Sequence, residues 1–390
     1  MYTFLLVLIY IAFISLGLPD SILGAGWPAM HQAFDVPVSY MGIVTMVISG
    51  CTIISSLMSD RLTHKLSAKI VTVISVFLTA AALLGFSFAM KFWMLIVLAV
   101  PYGLGAGAID AALNNYVALH YTSKHMSWLH CFWGVGAIIS PFIMSYALAT
   151  SVWNNGYRIV SCIQFGIGIL LLATLPVWKV NENKSAAEQK TKPLGLIGAL
   201  KIKGVPFLLL GFFAYCAAEA TAMGWSATYF SQVKGLDGKT AAAYASLVFI
   251  GVTVGRFFDG FIMDKFGDHT MIRLGTIVAL CGIALLFIPT QNVMVSLAAF
   301  IVIGLGYAPI YPCIIHATPL NFGAENSGAI IGIQMASAYM GSTFMPPLYG
   351  LLGKYLGYRI MPVYLLFFLV LMALMIERTF RITKNTGQQN

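Results

Sequence analysis

Four acidic side chains interrupt long apolar runs in this chain: Asp20, Asp110, Glu219 and Asp259. An ionised carboxylate in hydrocarbon costs several kcal/mol unless it is paired or wet, so each position is a candidate for function. Asp259 follows Arg256 within one helical turn, and these two read as a gating or structural pair. Asp20, Asp110 and Glu219 have no basic residue in their own run, and no Lys or Arg sits deep in any other run. A carboxyl in a low-dielectric site with no cation tends to hold a proton, because desolvation penalises the charged form. Such a group can load a proton from one side of a membrane and release it when its surroundings open to water on the other. The membrane potential supplies about 2.3 kcal/mol per charge per 100 mV for the transfer. A sodium site would use similar carboxylates with backbone carbonyls, so these residues alone leave proton and sodium both open. The structural alternative for each acid is a protonated carboxyl that hydrogen-bonds a neighbouring helix.

Amides and rings lie in the same runs. Asn114 and Asn115 follow Asp110 by about one turn, Gln164 and Gln334 stand in two other runs, and Trp225 follows Glu219 on one helical face. Carboxyls and amides hydrogen-bond hydroxyls while aromatic faces cover C–H surfaces, so this set suits a small hydroxylated solute. For most of the aromatics, helix packing or an interfacial belt is explanation enough. His130 and His316 could relay protons or simply join helices, and His120 and His125 read as solvated loop residues.

These groups must be positioned by membrane helices. Of 390 residues, 59% are hydrophobic and 9% charged, against about 25% charged in a soluble domain. About 20 apolar residues span the hydrocarbon layer, and such runs recur at about 3–28, 38–58, 68–90, 92–119, 126–149, 157–178, 206–230, 240–262, 271–289, 294–317, 326–352 and 359–379. The first is longer than a signal-peptide core and has no basic residue before it, so it reads as a span. The expected fold is an all-α membrane protein of twelve transmembrane helices in two pseudo-symmetric six-helix bundles, residues 1–178 and 206–390, joined by a polar linker at 179–205. With the N-terminus cytoplasmic, 16 Lys and Arg fall on the inner side and 6 on the outer, which places both termini and the linker in the cytoplasm. The net charge of +9 is thereby explained by orientation, and a nucleic-acid partner is not implied. The six cysteines fall in apolar stretches without ligand spacing and read as buried free thiols. No cofactor, metal or disulfide framework is expected, and the chain is expected to work as a monomer in the bilayer.

The halves repeat. Asp60–Arg61 matches Asp264–Lys265 at an offset of 204, Gly103–Leu104–Gly105 matches Gly304–Leu305–Gly306 at 201, and Gly136 with Pro141 matches Gly341 with Pro346 at 205. Two such bundles related by an axis along the membrane normal are an arrangement in which a midplane site alternates its access.

The stretch Gly260–Gly267 (GFIMDKFG), with Gly255, Arg256 and Asp259 upstream, resembles the GxxxDRxG loop of the major facilitator superfamily. The earlier copy, Ser56–Thr63 (SLMSDRLT), keeps the charge pair and lacks the glycines. The resemblance implies a gating role for Asp60, Arg61, Arg256, Asp259, Asp264 and Lys265. Leu18–Leu23 (LPDSIL), Ile109–Val117 (IDAALNNYV) and Leu129–Ala137 (LHCFWGVGA) resemble segments of the fucose–proton symporter family. That resemblance implies substrate- and proton-linked carboxyls at Asp20 and Asp110, and solute contacts at His130 and Trp133. The expected function is proton-coupled symport of a sugar or similar hydroxylated metabolite across a plasma membrane, as in a bacterial cytoplasmic membrane. The alternative is a drug or metabolite–proton antiporter of the same superfamily. Antiporters usually carry Gly-Pro-x-x-Gly-Gly in span five, where this chain keeps Pro141 without the glycines. A membrane enzyme or a non-transporting receptor is more remote, since no HExxH or GxSxG constellation is present.

Overall fold

The computed structural model describes residues 2–181 and 194–387. Residues 182–193 of the expected linker lie outside the described residues. The described residues are helical throughout apart from short turns, with no strand among them. Helix is the only open-ended structure that satisfies every backbone polar group in lipid.

Ten segments among the described residues are long and apolar enough to cross a membrane. One of them, Val38–Ser87, is 50 residues long, and Ser67, at φ 68° and ψ 154°, breaks its helix Met41–Ser87 into two arms. These arms are spans two and three, so Asp60 and Arg61 sit within a helix that continues past them, not in the expected loop. The helix Ala324–Leu356, 33 residues with Pro346 and Pro347 inside it, supplies span eleven. With these, the described residues contain the twelve expected spans. Span ten is broken at Ala308–Pro309 into Val293–Tyr307 and Ile310–Phe322, as its prolines require. Span six ends earlier than expected, at Ala173, and Leu175–Asn181 continues as a 3-10 turn.

The chain forms two compact units. The first is Met1–Tyr116 with Leu129–Gly195; the second is Val117–Trp128 with Leu196–Asn390. Each is knit by the same glycine contacts. In the first, a Cβ on Gly136 would strike the carbonyl of Ile14, and one on Gly103 the carbonyl of Ile48. In the second, Gly341 meets the carbonyl of Phe213 and Gly304 that of Val248. Spans five and one thus pack backbone to backbone in the first unit as spans eleven and seven do in the second, and spans four and two as spans ten and eight. Small residues permit this approach in lipid, where packing drives helix association.

Side-chain hydrogen bonds to backbone carbonyls join helices both at these seams and between other neighbours. In the first unit Ser56 Oγ donates to Gly107 O at 3.2 Å and Ser161 Oγ to Ala80 O at 2.8 Å. In the second, Ser337 Oγ donates to Leu209 O at 2.8 Å, and Tyr215 Oη to Tyr307 O at 2.9 Å, beside the span-ten break. Cys131, Cys216 and Cys313 are buried and in no disulfide, but Cys162 and Cys281 are exposed and Cys51 is half-buried. The exposed two correct the expectation of six buried thiols: a thiol is apolar enough to face lipid as readily as a helix.

Candidate functional site

In the first unit, span one (Tyr2–Ala33) carries Asp20 directly after Pro19. Asp20 is exposed and two neutral donors reach its carboxylate. Trp133 Nε1, from span five (Ser123–Thr150), donates to Oδ2 at 2.8 Å, and Tyr102 Oη, from span four (Phe92–His120), donates to Oδ1 at 3.3 Å. Among the described residues no ion pair involves Asp20. Tyr102 is a partner that sequence reading missed; it lies two turns before Asp110 on span four, one of many aromatics in the apolar runs. A small cavity of about 10 Å³, lined by Ser15, Pro19, Thr79, Tyr102 and Ile109 among others, lies beside it, roughly the room one water needs.

Deeper in the same unit, Asp110, Asn114 and His130 form a chain. Asn114 Nδ2 donates to Asp110 Oδ1 at 2.8 Å and to the Asp110 carbonyl at 3.0 Å. Both partners are acceptors, which fixes the amide orientation and leaves Oδ1 of Asn114 to meet His130 Nε2 at 3.1 Å. An amide oxygen only accepts, so Nε2 carries the hydrogen. Asn114 is fully buried and His130 nearly so, with Phe13 edge-on to the imidazole at 5.5 Å. One amide therefore links a carboxyl to an imidazole, and a change of protonation at either end is felt at the other through two hydrogen bonds. Asn115, next along the helix, is half-buried.

In the second unit the structure corrects one expectation. Glu219, on span seven (Val205–Lys234), is not without a cation: Arg256 Nη2, from span eight (Gly238–Phe266), donates to its Oε1 at 2.9 Å. The two side chains are 5% and 13% exposed. The reason is reach, since a long guanidinium side chain on span eight extends across to the neighbouring helix instead of folding back along its own. The Arg256–Asp259 pair expected from their spacing gives way to this contact, and Asp259 Oδ2 is buried with no hydrogen-bond partner among the described residues. The guanidinium also lies over the Tyr311 ring, 5.8 Å from its centroid.

Other expected solute contacts stand apart from these groups. Trp225 stacks on Tyr358 at 5.8 Å and meets Tyr349 edge-on at 5.5 Å, a packed aromatic cluster. Gln334 is fully buried, its Oε1 accepting from Thr318 Oγ1 at 2.9 Å. Gln164 is also fully buried and holds the Ser15 carbonyl at 2.6 Å, which makes it a helix clamp and not a solute contact.

The motif residues divide similarly. Asp264, near the end of span eight, accepts from Thr122 Oγ1 at 3.1 Å and pairs with Lys124 at 3.4 Å. Lys265 lies over the Phe266 ring. Trp128 Nε1 and Ser127 Oγ donate to the carbonyls of Phe257 and Arg256, so the segment Val117–Trp128 is bound to span eight within the second unit. Asp60 is buried with His64 at 3.5 Å, and Arg61 is exposed. His316 bridges Asp268 at 2.7 Å and the Tyr121 carbonyl at 3.0 Å, so it joins elements of the second unit. His120 and His125 end and begin helices instead of lying in a free loop, and His125 packs between the rings of Tyr121 and Trp128.

The chain is similar to known transporters over most of its length. The Major Facilitator Superfamily model matches residues 9–337 and 246–389. An uncharacterised transporter of Sinorhizobium fredii is 25% identical over 334 residues, covering 84% of this chain and 85% of that protein. The glucose/mannose transporter of Bacillus subtilis is 23% identical over 318 residues, covering 78% and 77%. A crystal structure of the E. coli fucose:proton symporter superposes with a TM-score of 0.77 at 18% identity, over 98% of this chain and 99% of that one, a likeness of fold. The paired glycine seams, the repeated charge motif and the family match together make this chain a member of the major facilitator superfamily, a multi-pass membrane transporter of small-molecule solutes.

Proposed function

We propose that the chain is a proton-coupled symporter of a sugar or similar small hydroxylated solute, working by alternating access. Residues 1–178 and 206–390 act as its two functional halves, and 179–205 is a cytoplasmic linker. The observation that carries this reading is Asp20, a carboxylate exposed within span one and held by two neutral donors, Trp133 and Tyr102, with no ion pair among the described residues. A carboxyl in such a place can gain and lose a proton without stranding a buried cation. Protonation of one carboxyl oxygen weakens its hydrogen bond to Trp133 or Tyr102, and so frees one polar hydrogen for a solute hydroxyl. That exchange would link solute and proton at one residue.

The Asp110–Asn114–His130 chain is assigned to the same task, with Asp110 as the second proton-linked carboxyl. His130, Asn115 and the face of Trp133 are assigned to the solute. Glu219 is assigned through its pair with Arg256: protonation or release of that pair would be felt in the second unit. Asp60, Arg61, Asp264 and Lys265 are assigned to gating. Similarity to a glucose/mannose transporter supports a sugar substrate, and a bacterial cytoplasmic membrane is the expected site of action. The test is a stabilisation screen of the purified protein against hexoses, pentoses and their deoxy forms, followed by counterflow of the labelled hit in proteoliposomes. Uptake that rises when the outside is made acid supports the reading. Release of solute driven by inward proton flow would replace it with antiport.

A further inference from the structure

Proline inside a helix leaves the carbonyl four residues earlier without its donor, and two prolines beside Asp20 do this. Pro19 deprives the Ser15 carbonyl, and Pro141 deprives the Ala137 carbonyl. Both carbonyls are taken by side chains from another helix. Gln164 Nε2, on span six (Trp153–Ala173), donates to Ser15 O at 2.6 Å, and Ser21 Oγ donates to Ala137 O at 2.5 Å. Gln164 and Ser15 are buried, so bulk solvent does not reach the first of these bonds. Between the two clamps, Gly17 packs against the Trp133 carbonyl with no room for a Cβ, and the indole of the same Trp133 holds Asp20.

We propose that Gln164 and Ser21 are positioning residues for Asp20: they stand in for the N–H groups that Pro19 and Pro141 lack, and thereby fix the turns of spans one and five that set the carboxylate against Trp133 and Tyr102. Neither side chain touches the carboxylate. Gln164 acts on it through the backbone of one turn, from Ser15 to Pro19, and Ser21, next to Asp20 in the chain, through Ala137, one turn after Trp133 on span five. The functional meaning rests on the reading of Asp20 as the coupling carboxyl; the positioning itself does not.

The test uses the purified full-length protein and needs no solute. Infrared difference spectra against Asp20→Asn isolate the Asp20 carboxyl band, which is then titrated in Gln164→Leu and Ser21→Ala. The expected result is a midpoint displaced by about half a pH unit or more in each, the scale of a weakened hydrogen bond to a charged group. Restoring the donor supplies the second readout. Gln164→Leu should lower the melting temperature markedly beside Pro19, and much less in the Pro19→Ala background, where the backbone N–H regained at that position serves the Ser15 carbonyl. If Gln164→Leu cannot be purified, Gln164→Asn, which is one methylene too short, replaces it. An Asp20 band that titrates unchanged in both variants, or losses that add fully with Pro19→Ala, would overturn the positioning role. Proton-driven accumulation that survives Asp20→Asn would instead refute the coupling reading and leave the infrared result standing.

Discussion

Removing either partner of the Glu219–Arg256 pair should cost far more than removing both. The charges are 2.9 Å apart and 13% and 5% exposed, so neither is well solvated alone. Breaking a buried pair by deleting one partner costs about 3–5 kcal/mol, most of it the penalty of the stranded charge. The two single losses should differ. Arg256→Met leaves Glu219, which can discharge by taking up a proton, so its loss belongs near the lower figure. Glu219→Gln leaves a guanidinium that cannot discharge, so its loss belongs near the upper one, softened where Asp259, one turn away, takes Glu219's place. In Arg256→Met/Glu219→Gln neither penalty remains. With single losses near about 3 and about 5 kcal/mol and a double loss smaller than either, the double variant should be more stable than the sum of the single losses by about 5 kcal/mol or more, above the usual range of about 0.5–3 kcal/mol for contacting residues. Denaturant unfolding of the detergent-solubilised protein, followed on the same probe for all four proteins, measures this coupling. Losses that add within about 0.5 kcal/mol would refute the pair as a mutually dependent buried contact.

Three further outcomes follow from the same geometry. Asp110→Asn should abolish proton-driven accumulation in proteoliposomes while leaving solute exchange partly intact, since the Asn114–His130 bond can persist without the charge. Trp133→Phe keeps a ring and loses the 2.8 Å bond to Asp20; a hydrogen bond to a charged group contributes about 1.5–3 kcal/mol, so half-saturating solute concentration in counterflow should rise about tenfold. Gly136→Ala drives a methyl into the Ile14 carbonyl, whereas Gly24→Ala meets nothing within 4 Å; melting temperature should fall for the first, as overpacking costs about 1–3 kcal/mol, and hold for the second.

The architecture was legible because its signals are local or repeated. Twelve apolar runs declare twelve spans, and Gly103, Gly136, Gly304 and Gly341 mark helix seams that the structure places at equivalent contacts in each unit. Asp20 and Asp110 stood out because a carboxylate in an apolar run needs a reason. What sequence could not supply was the lateral partner. Arg256 and Asp259 share a helix turn, so spacing paired them, yet the guanidinium reaches Glu219 from another helix. Gln164 looked like a solute contact because intramembrane amides are rare, while its target, the Ser15 carbonyl, is orphaned by Pro19 on a span far away in sequence. Tyr102 gave no signal, since an aromatic within an apolar run is ordinary and only three dimensions bring its hydroxyl to Asp20. The loop expected at Asp60 proved helical because nothing in Arg61–Leu66 breaks a helix, and the chain turns only at Ser67.

The most direct measurement is solute accumulation against its gradient, driven by an imposed pH difference, in proteoliposomes carrying the parent protein or Asp20→Asn. Loss of accumulation with counterflow retained is the predicted result, because solute would still bind and cross while the proton no longer follows. Undiminished accumulation by Asp20→Asn would contradict the account, and coupling would then have to reside elsewhere in the chain.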